Sequence, residues 1–327
     1  MPEGDTVWQT AKRLHTALAG RELTRFDLRV PRFATADLTG RTVVEVAPRG
    51  KHLLTRIEGG FTLHSHLRMD GAWRVFPAGG RWHGGPAHQI RAVLGNASHT
   101  AVGYRLPVLE LLRTEDEATV VGHLGPDLLG PDWDARAALA RLLADPARPL
   151  GEALLDQRNL AGIGNVYKSE LAFLARVTPW LPVGELPEGV PERLLVTAHR
   201  LLEANKNTFD RRTTAPGPSR DRLHVYGRSG RPCPRCGTPV RKDDPSARAG
   251  RPRNAGPAVR TEAPAEPAPP ARAAPDAREH PERERPAQEQ AERERPGLRR
   301  SSREPGGGDE RISYWCPGCQ IGPGPAG

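Results

Sequence analysis

No stretch of this 327-residue chain approaches the ~18 consecutive apolar residues that cross a bilayer, and its N-terminus lacks a basic-then-apolar leader. The expected compartment is therefore the cytoplasm. Cysteine is scarce. The four present fall in two C-x-x-C pairs, which in a cytoplasmic chain read as metal ligands rather than disulfides. The sharpest shortage lies in residues 243–310, which hold no aromatic, isoleucine or methionine, and only Leu298 and Val259 among the larger aliphatics. Such a segment cannot bury enough apolar surface to offset chain entropy, so disorder is expected there. It is also nearly neutral: 13 Arg against 14 acidic residues leave −1, so the rest of the chain carries +10 of the net +9. The basicity thus belongs to the folded part and points to a polyanionic partner, most simply nucleic acid.

The length suggests about two domains. Residues 3–19 predict an amphipathic helix, because Val7, Ala11, Leu14 and Leu18 recur at 4-3-4 spacing before Gly20. Short β-like runs follow at Thr42–Val46, His52–Ile57, Phe61–His66, Trp73–Phe76, Ile90–Leu94, Thr100–Tyr104 and Val108–Leu112. With turn signals such as Gly59-Gly60 and Gly95-Asn96 between them, they suggest a β-sandwich or barrel. Residues 122–132, with Gly-Pro-Asp twice, read as an interdomain linker, and 135–144, 150–157, 164–175 and 190–205 read as helices.

Three groups of residues carry chemistry. Cys233-Pro-Arg-Cys236 and Cys316-Pro-Gly-Cys319 form two knuckles whose four thiolates suit one tetrahedral Zn²⁺. Their separation of 79 residues exceeds that of an ordinary zinc ribbon, but loop closure grows only logarithmically and adds about 1–1.5 kcal/mol. In Asp156–Glu170, Leu160-Ala-Gly-Ile-Gly164 predicts a tight turn between helices, with Asn165 opening the second. Such glycines let backbone amides approach an anion, phosphate above all, although a plain helix–helix turn with an Asn cap would look similar. Finally, loss of Met1 would expose Pro2 as a secondary amine beside the Glu3 carboxylate. An α-amino group titrates near pH ~8, so part of it is nucleophilic at neutral pH, and its iminium is an electron sink.

Together these segments resemble the formamidopyrimidine-DNA glycosylase/endonuclease VIII family of bifunctional DNA repair enzymes, especially actinobacterial endonuclease VIII-like members. The residues carrying the resemblance are Pro2-Glu3-Gly4, Arg49-Gly50-Lys51, residues 65–71, Gly125-Pro-Asp127, Asp156–Glu170, Val225-Tyr-Gly-Arg228 and residues 314–320, in the family's order. The resemblance implies an α+β multidomain fold: an N-terminal helix plus β-sandwich, then a helix-two-turn-helix domain with a zinc β-hairpin. The expected boundaries are 1–121 for the first domain, 122–134 for the linker and 135–225 for the second domain. The zinc hairpin is expected at 226–320, interrupted by 243–310, with a tail at 321–327.

By the same resemblance, Pro2 attacks C1′ of the damaged nucleotide and forms the Schiff base, and Glu3 acts as acid toward the sugar ring oxygen. Lys51 supports β-elimination, and Arg311 grips phosphates and assists δ-elimination. Asn165 holds the same backbone, Arg68 and Met69 fill the gap left by the extruded base, and His123 contacts phosphate. The cofactor is one structural Zn²⁺, the partner is damaged DNA, no organic cofactor is implied, and the protein is expected to be a monomer associated with the nucleoid. The capping Gly-Gly-Thr/Ser-Thr of the oxidised-purine branch is missing from residues 207–215, so oxidised pyrimidines are the expected lesions. The alternatives are an 8-oxoguanine/formamidopyrimidine glycosylase of the same family, or a DNA-binding module without catalysis.

Overall fold

The 4-3-4 stripe of Val7, Ala11, Leu14 and Leu18 becomes the buried face of α1 (Gly4–Leu18), which lies on a core shared with the β-strands. The computed structural model describes residues 2–208, 210–215, 221–245 and 312–325. Two four-stranded antiparallel sheets follow the helix. One has the order β1 (Arg25–Leu28), β6 (Ile90–Gly95), β7 (His99–Tyr104) and β5 (Ala72–Pro77). The other runs β2 (Val43–Arg49), β3 (His52–Ile57), β4 (Phe61–His66) and β8 (Val108–Arg113). Leu53, Ile57 and Leu63 from one sheet and Leu28, Ala92, Leu94 and Ala101 from the other share one apolar cluster. The sandwich expected from the alternating runs is therefore present, with all seven expected strands in place. The short β1 was not expected; its Phe26 and Leu28 face the core, but four residues offer too little periodicity to read.

A one-turn helix α2 (Ala118–Val121) leads to the helical half: α3 (Ala135–Leu142), α4 (Leu150–Leu155), α5 (Asn165–Leu174) and α6 (Val190–Asn205). Asp134 caps α3 by accepting from the amides of Arg136 and Ala137. These helices bury their own cluster, including Leu150, Leu154, Tyr167, Leu171, Leu194 and Leu202. Nine of the ten residues of α5 are buried, so this helix is packed on every side rather than along one stripe. The segment read as a linker is not a loose connection. Residues 124–128 are buried, and Asp127 forms a parallel bridge to Ala161.

The last sheet is a two-stranded antiparallel ribbon, β9 (Arg241–Asp243) with β10 (Ser313–Trp315), in which Asp243 pairs with Ser313. Asp243, expected to open the disordered insertion, is therefore a buried strand residue. Its aspartate chemistry resembles the acidic composition that follows, while its strand role comes from a partner 70 positions away. Residues 246–310 of that insertion, and Arg311, lie outside the described residues. Among the described residues no helix is long and apolar enough to cross a membrane.

Candidate active site and metal centre

The start of α1 is seated on the start of α5. Glu3 has no exposed surface, and its carboxylate accepts from the amides of Gly164 (2.8 Å), Val166 (2.7 Å) and Tyr167 (3.3 Å). A helix N-terminus presents unpaired N–H groups and a positive dipole end, so a buried anion is stabilised there. The anion expected at this turn was a phosphate, but these particular amides serve the protein's own Glu3. Gly164 is required by the close approach, since a Cβ there would lie 2.6 Å from the Glu3 carboxyl carbon. The Gly4 amide also donates to the Gly162 carbonyl at 2.9 Å. Pro2 is half-buried at this junction.

Lys51 sits at the tip of the β2–β3 hairpin beside Gly50, whose φ of 56° favours glycine. That turn is clipped to the 125–132 segment: the Gly50 amide donates to Asp127 at 2.6 Å, and Arg49 pairs with Asp132 at 2.5 Å. Burial raises the Asp127 carboxyl, partly offset by the Gly50 and Leu129 amides. Behind Lys51 lies a row of histidines. His52 Nδ1 is 2.8 Å from His64 Nε2, and His64 Nδ1 is 3.1 Å from Glu110. Burial, then His66, His64, His123 and Lys51, push His52 down to about 2. Burial, then Lys51, Arg68 and His64, push His66 to about 3, so both imidazoles stay neutral.

Asn165 is buried at the first position of α5, and Lys168 donates to its Oδ1 at 2.8 Å. That bond fixes which side of the amide carries the donors. Lys168 also donates to the Ile312 carbonyl at 2.7 Å, tying α5 to the strand that follows Arg311. Burial lowers its ammonium to about 7, against the pull of Glu3 and Asp243. Arg68 and Met69 lie in the β4–β5 turn: Arg68 has a φ of 45°, and Met69 is 41% exposed, which sets this large apolar side chain in solvent. His123 is exposed, its ring 6.2 Å from that of His52. Arg311 lies outside the described residues.

Cys233, Cys236, Cys316 and Cys319 converge, their sulfurs all within 4.8 Å of one another. The Cys233–Cys319 and Cys236–Cys316 separations are 3.7 and 3.5 Å. Four sulfurs at the zinc–thiolate bond length on a tetrahedron are about 3.8 Å apart, so the donor set fits that ion. Gln320 braces the second knuckle, accepting from the Cys316 amide and donating to the Val177 carbonyl, both at 2.7 Å.

Several polar side chains take partners that no local pattern signals. Glu170, fully buried, accepts from the amides of His224, Val225 and Tyr226 at 2.8–2.9 Å and from the Thr213 hydroxyl. Asp127, within the Gly-Pro-Asp turn that carries part of the resemblance, accepts from the Gly50 amide, a contact its motif does not signal. Asp5, Tyr167 and Arg211 form a further buried group. Asp5 in the first turn of α1 was the only signal available for it.

The family model of the formamidopyrimidine-DNA glycosylase N-terminal domain matches residues 1–107, and that of the H2TH domain matches 124–208. "Probable endonuclease 8 2" of Streptomyces coelicolor is 70% identical over 244 residues, 75% of this chain and 88% of that protein. "DNA-(apurinic or apyrimidinic site) lyase Nei2" of Mycolicibacterium smegmatis is 49% identical over 243 residues, 74% of this chain and 93% of that protein. Among solved structures, MutM in complex with carbocyclic 8-oxo-G containing DNA shares the fold at a TM-score of 0.66 and 19% identity. That match covers 98% of this chain and 100% of the other. The chain belongs to the formamidopyrimidine-DNA glycosylase/endonuclease VIII family of DNA repair glycosylase/lyases.

Proposed function

We propose that this chain excises oxidised pyrimidines from DNA and cleaves the strand at the resulting abasic site, with Pro2 as nucleophile. The observation that supports it is the seating of the Glu3 carboxylate on the α5 amides, which fixes the residue next to Pro2, whose nitrogen becomes a secondary amine once Met1 is removed. Pro2 nitrogen attacks C1′ as the C1′–base bond breaks; the base leaves with the bonding pair and takes a proton from water, while the proton on the Pro2 nitrogen passes to the Glu3 carboxylate. Glu3 returns that proton to the sugar ring oxygen as the ring opens to the iminium. Lys51, on its clipped turn, assists loss of the C2′ proton and breakage of the C3′–oxygen bond. Arg311 supports loss of the 5′ phosphate, which completes δ-elimination.

Asn165, Arg311 and Lys51 hold the phosphates around the extruded nucleotide, while Arg68 and Met69 occupy the vacated stack and His123 touches the backbone. Cys233, Cys236, Cys316 and Cys319 would hold one Zn²⁺, which supplies a cross-link for the hairpin and no step of the reaction. The protein acts as a monomer on the nucleoid in the cytoplasm. A panel of duplexes carrying thymine glycol, dihydrouracil, 8-oxoguanine or an abasic site tests this reading. Faster release of the two pyrimidines is expected, with phosphates left at both ends of the gap. Faster excision of 8-oxoguanine opposite cytosine would overturn the pyrimidine assignment.

A further inference from the structure

Arg211 follows α6 and is 206 positions from Asp5, yet its guanidinium grips that carboxylate with two bonds, Nε to Oδ2 at 2.7 Å and Nη2 to Oδ1 at 2.5 Å. It stands 3.8 Å from Glu3, and it lies over the Tyr167 ring at 5.0 Å. Tyr167 in turn donates its hydroxyl to Asp5 at 2.9 Å. The chain around Arg211 is braced to aim it inward. Asn205 accepts from the Arg212 amide at 2.7 Å and donates to the Arg212 carbonyl at 2.9 Å, while Thr213 donates to Glu170. Gln9 of α1 reaches the same segment, donating to the carbonyls of Asn205 and Thr208.

We propose that Arg211 is a positioning residue, which by clamping Asp5 fixes the first turn of α1 and so holds Glu3 and Pro2 in reacting register on α5. This rests on the reading that Pro2 is the nucleophile. Two buried carboxylates stand within one turn of the terminal amine, and one guanidinium answers both. Without it they repel in a poorly solvated place, and the repulsion acts on the first turn of α1, which carries Pro2. A planar fork suits the clamp because it satisfies both Asp5 oxygens while its face rests on Tyr167. Among the described residues Arg211 bonds to Asp5 and Thr6, apart from the cysteine knuckles and the Lys51 turn, so its loss should spare DNA binding.

The test uses the full zinc-loaded chain carrying R211M, D5N, both changes, or R211K. Binding is measured to a duplex holding a tetrahydrofuran abasic analogue, and the rate of borohydride-trapped adduct formation to a true abasic site. R211M and D5N are each expected to bind the analogue within about threefold of the parent but to trap about 10–100-fold more slowly. The double variant should be no slower than either single one, and R211K should recover part of the rate. Trapping by R211M at the parent rate, or losses that multiply in the double variant, would overturn the inference. Should R211M not fold, D5N decides by the same criterion. Mapping the parent's adduct to a residue other than Pro2 would instead overturn the nucleophile assignment, whatever the variants do.

Discussion

Neutral imidazoles at His52 and His66 make the N-terminal half sensitive to acid. Burial leads in holding His52 at about 2, against an ordinary value near 6.5, so between those values the unfolded chain takes up a proton that the folded chain refuses. Stability is therefore complete above about pH 6.5 and declines as pH falls toward the folded value, by roughly 2 kcal/mol from His52 alone at pH 5. His52→Gln should flatten that decline, seen as a smaller drop in Tm between pH 7.5 and pH 5 than in the parent. An equal drop would mean that the imidazole is not held neutral. At this scale the pairing of cysteines within each knuckle and the adjacency of Pro2 and Glu3 were legible, because both lie in short spacings. Arg211 and Glu170 were not, since an arginine or glutamate shows its burial only once residues 206 and 54 positions apart are brought together.

Helix α5 is the element on which the site depends. Its N-terminus holds Glu3, Lys168 and Ser169 hold Ile312 and Tyr314 at the start of β10, and Glu170 holds residues 213 and 224–226. The sequence predicted this helix and its glycine turn, but its periodicity could not say that every face is covered. The strands were easier, because alternation in His52–Ile57 and Phe61–His66 fixes both length and facing. The 124–132 segment was harder: Gly-Pro-Asp signals a turn, yet its service is to clip the Lys51 hairpin through Asp127. Asp127→Ala should leave the Gly50 amide without its partner, costing about 1–3 kcal/mol in stability. With the Lys51 turn loosened, elimination at a preformed abasic site should slow by about tenfold, read as the strand-cleavage rate in single turnover. An unchanged rate in a destabilised variant would confine Asp127 to stability.

At the scale of the whole molecule, the cysteine knuckles and their ribbon close across the insertion. Asp243 and Ser313 face each other as an antiparallel pair, so the chain ends that bracket the insertion are neighbours, and a short turn can join them. Replacing residues 247–307 by a few Gly and Ser residues should retain metal content and abasic-site cleavage. The shorter loop should also add about 1–2 kcal/mol of stability. Loss of cleavage with metal retained would give the insertion a part in catalysis. The composition of 243–310 marked this segment as distinct, and the two cysteine knuckles on either side of it signalled a hairpin closing across it, whereas the register that sets Asp243 against Ser313 had no local pattern to show it.

The proposed chemistry turns on the chain's own terminal amine becoming bonded to the sugar. Reduction with borohydride during reaction on an abasic-site duplex, followed by proteolysis and mass spectrometry of the adduct, tests it directly. One nucleotide remnant is expected on a peptide beginning at Pro2, with Met1 gone. An adduct on Lys51 or any other lysine, or an active protein that retains Met1, would contradict it.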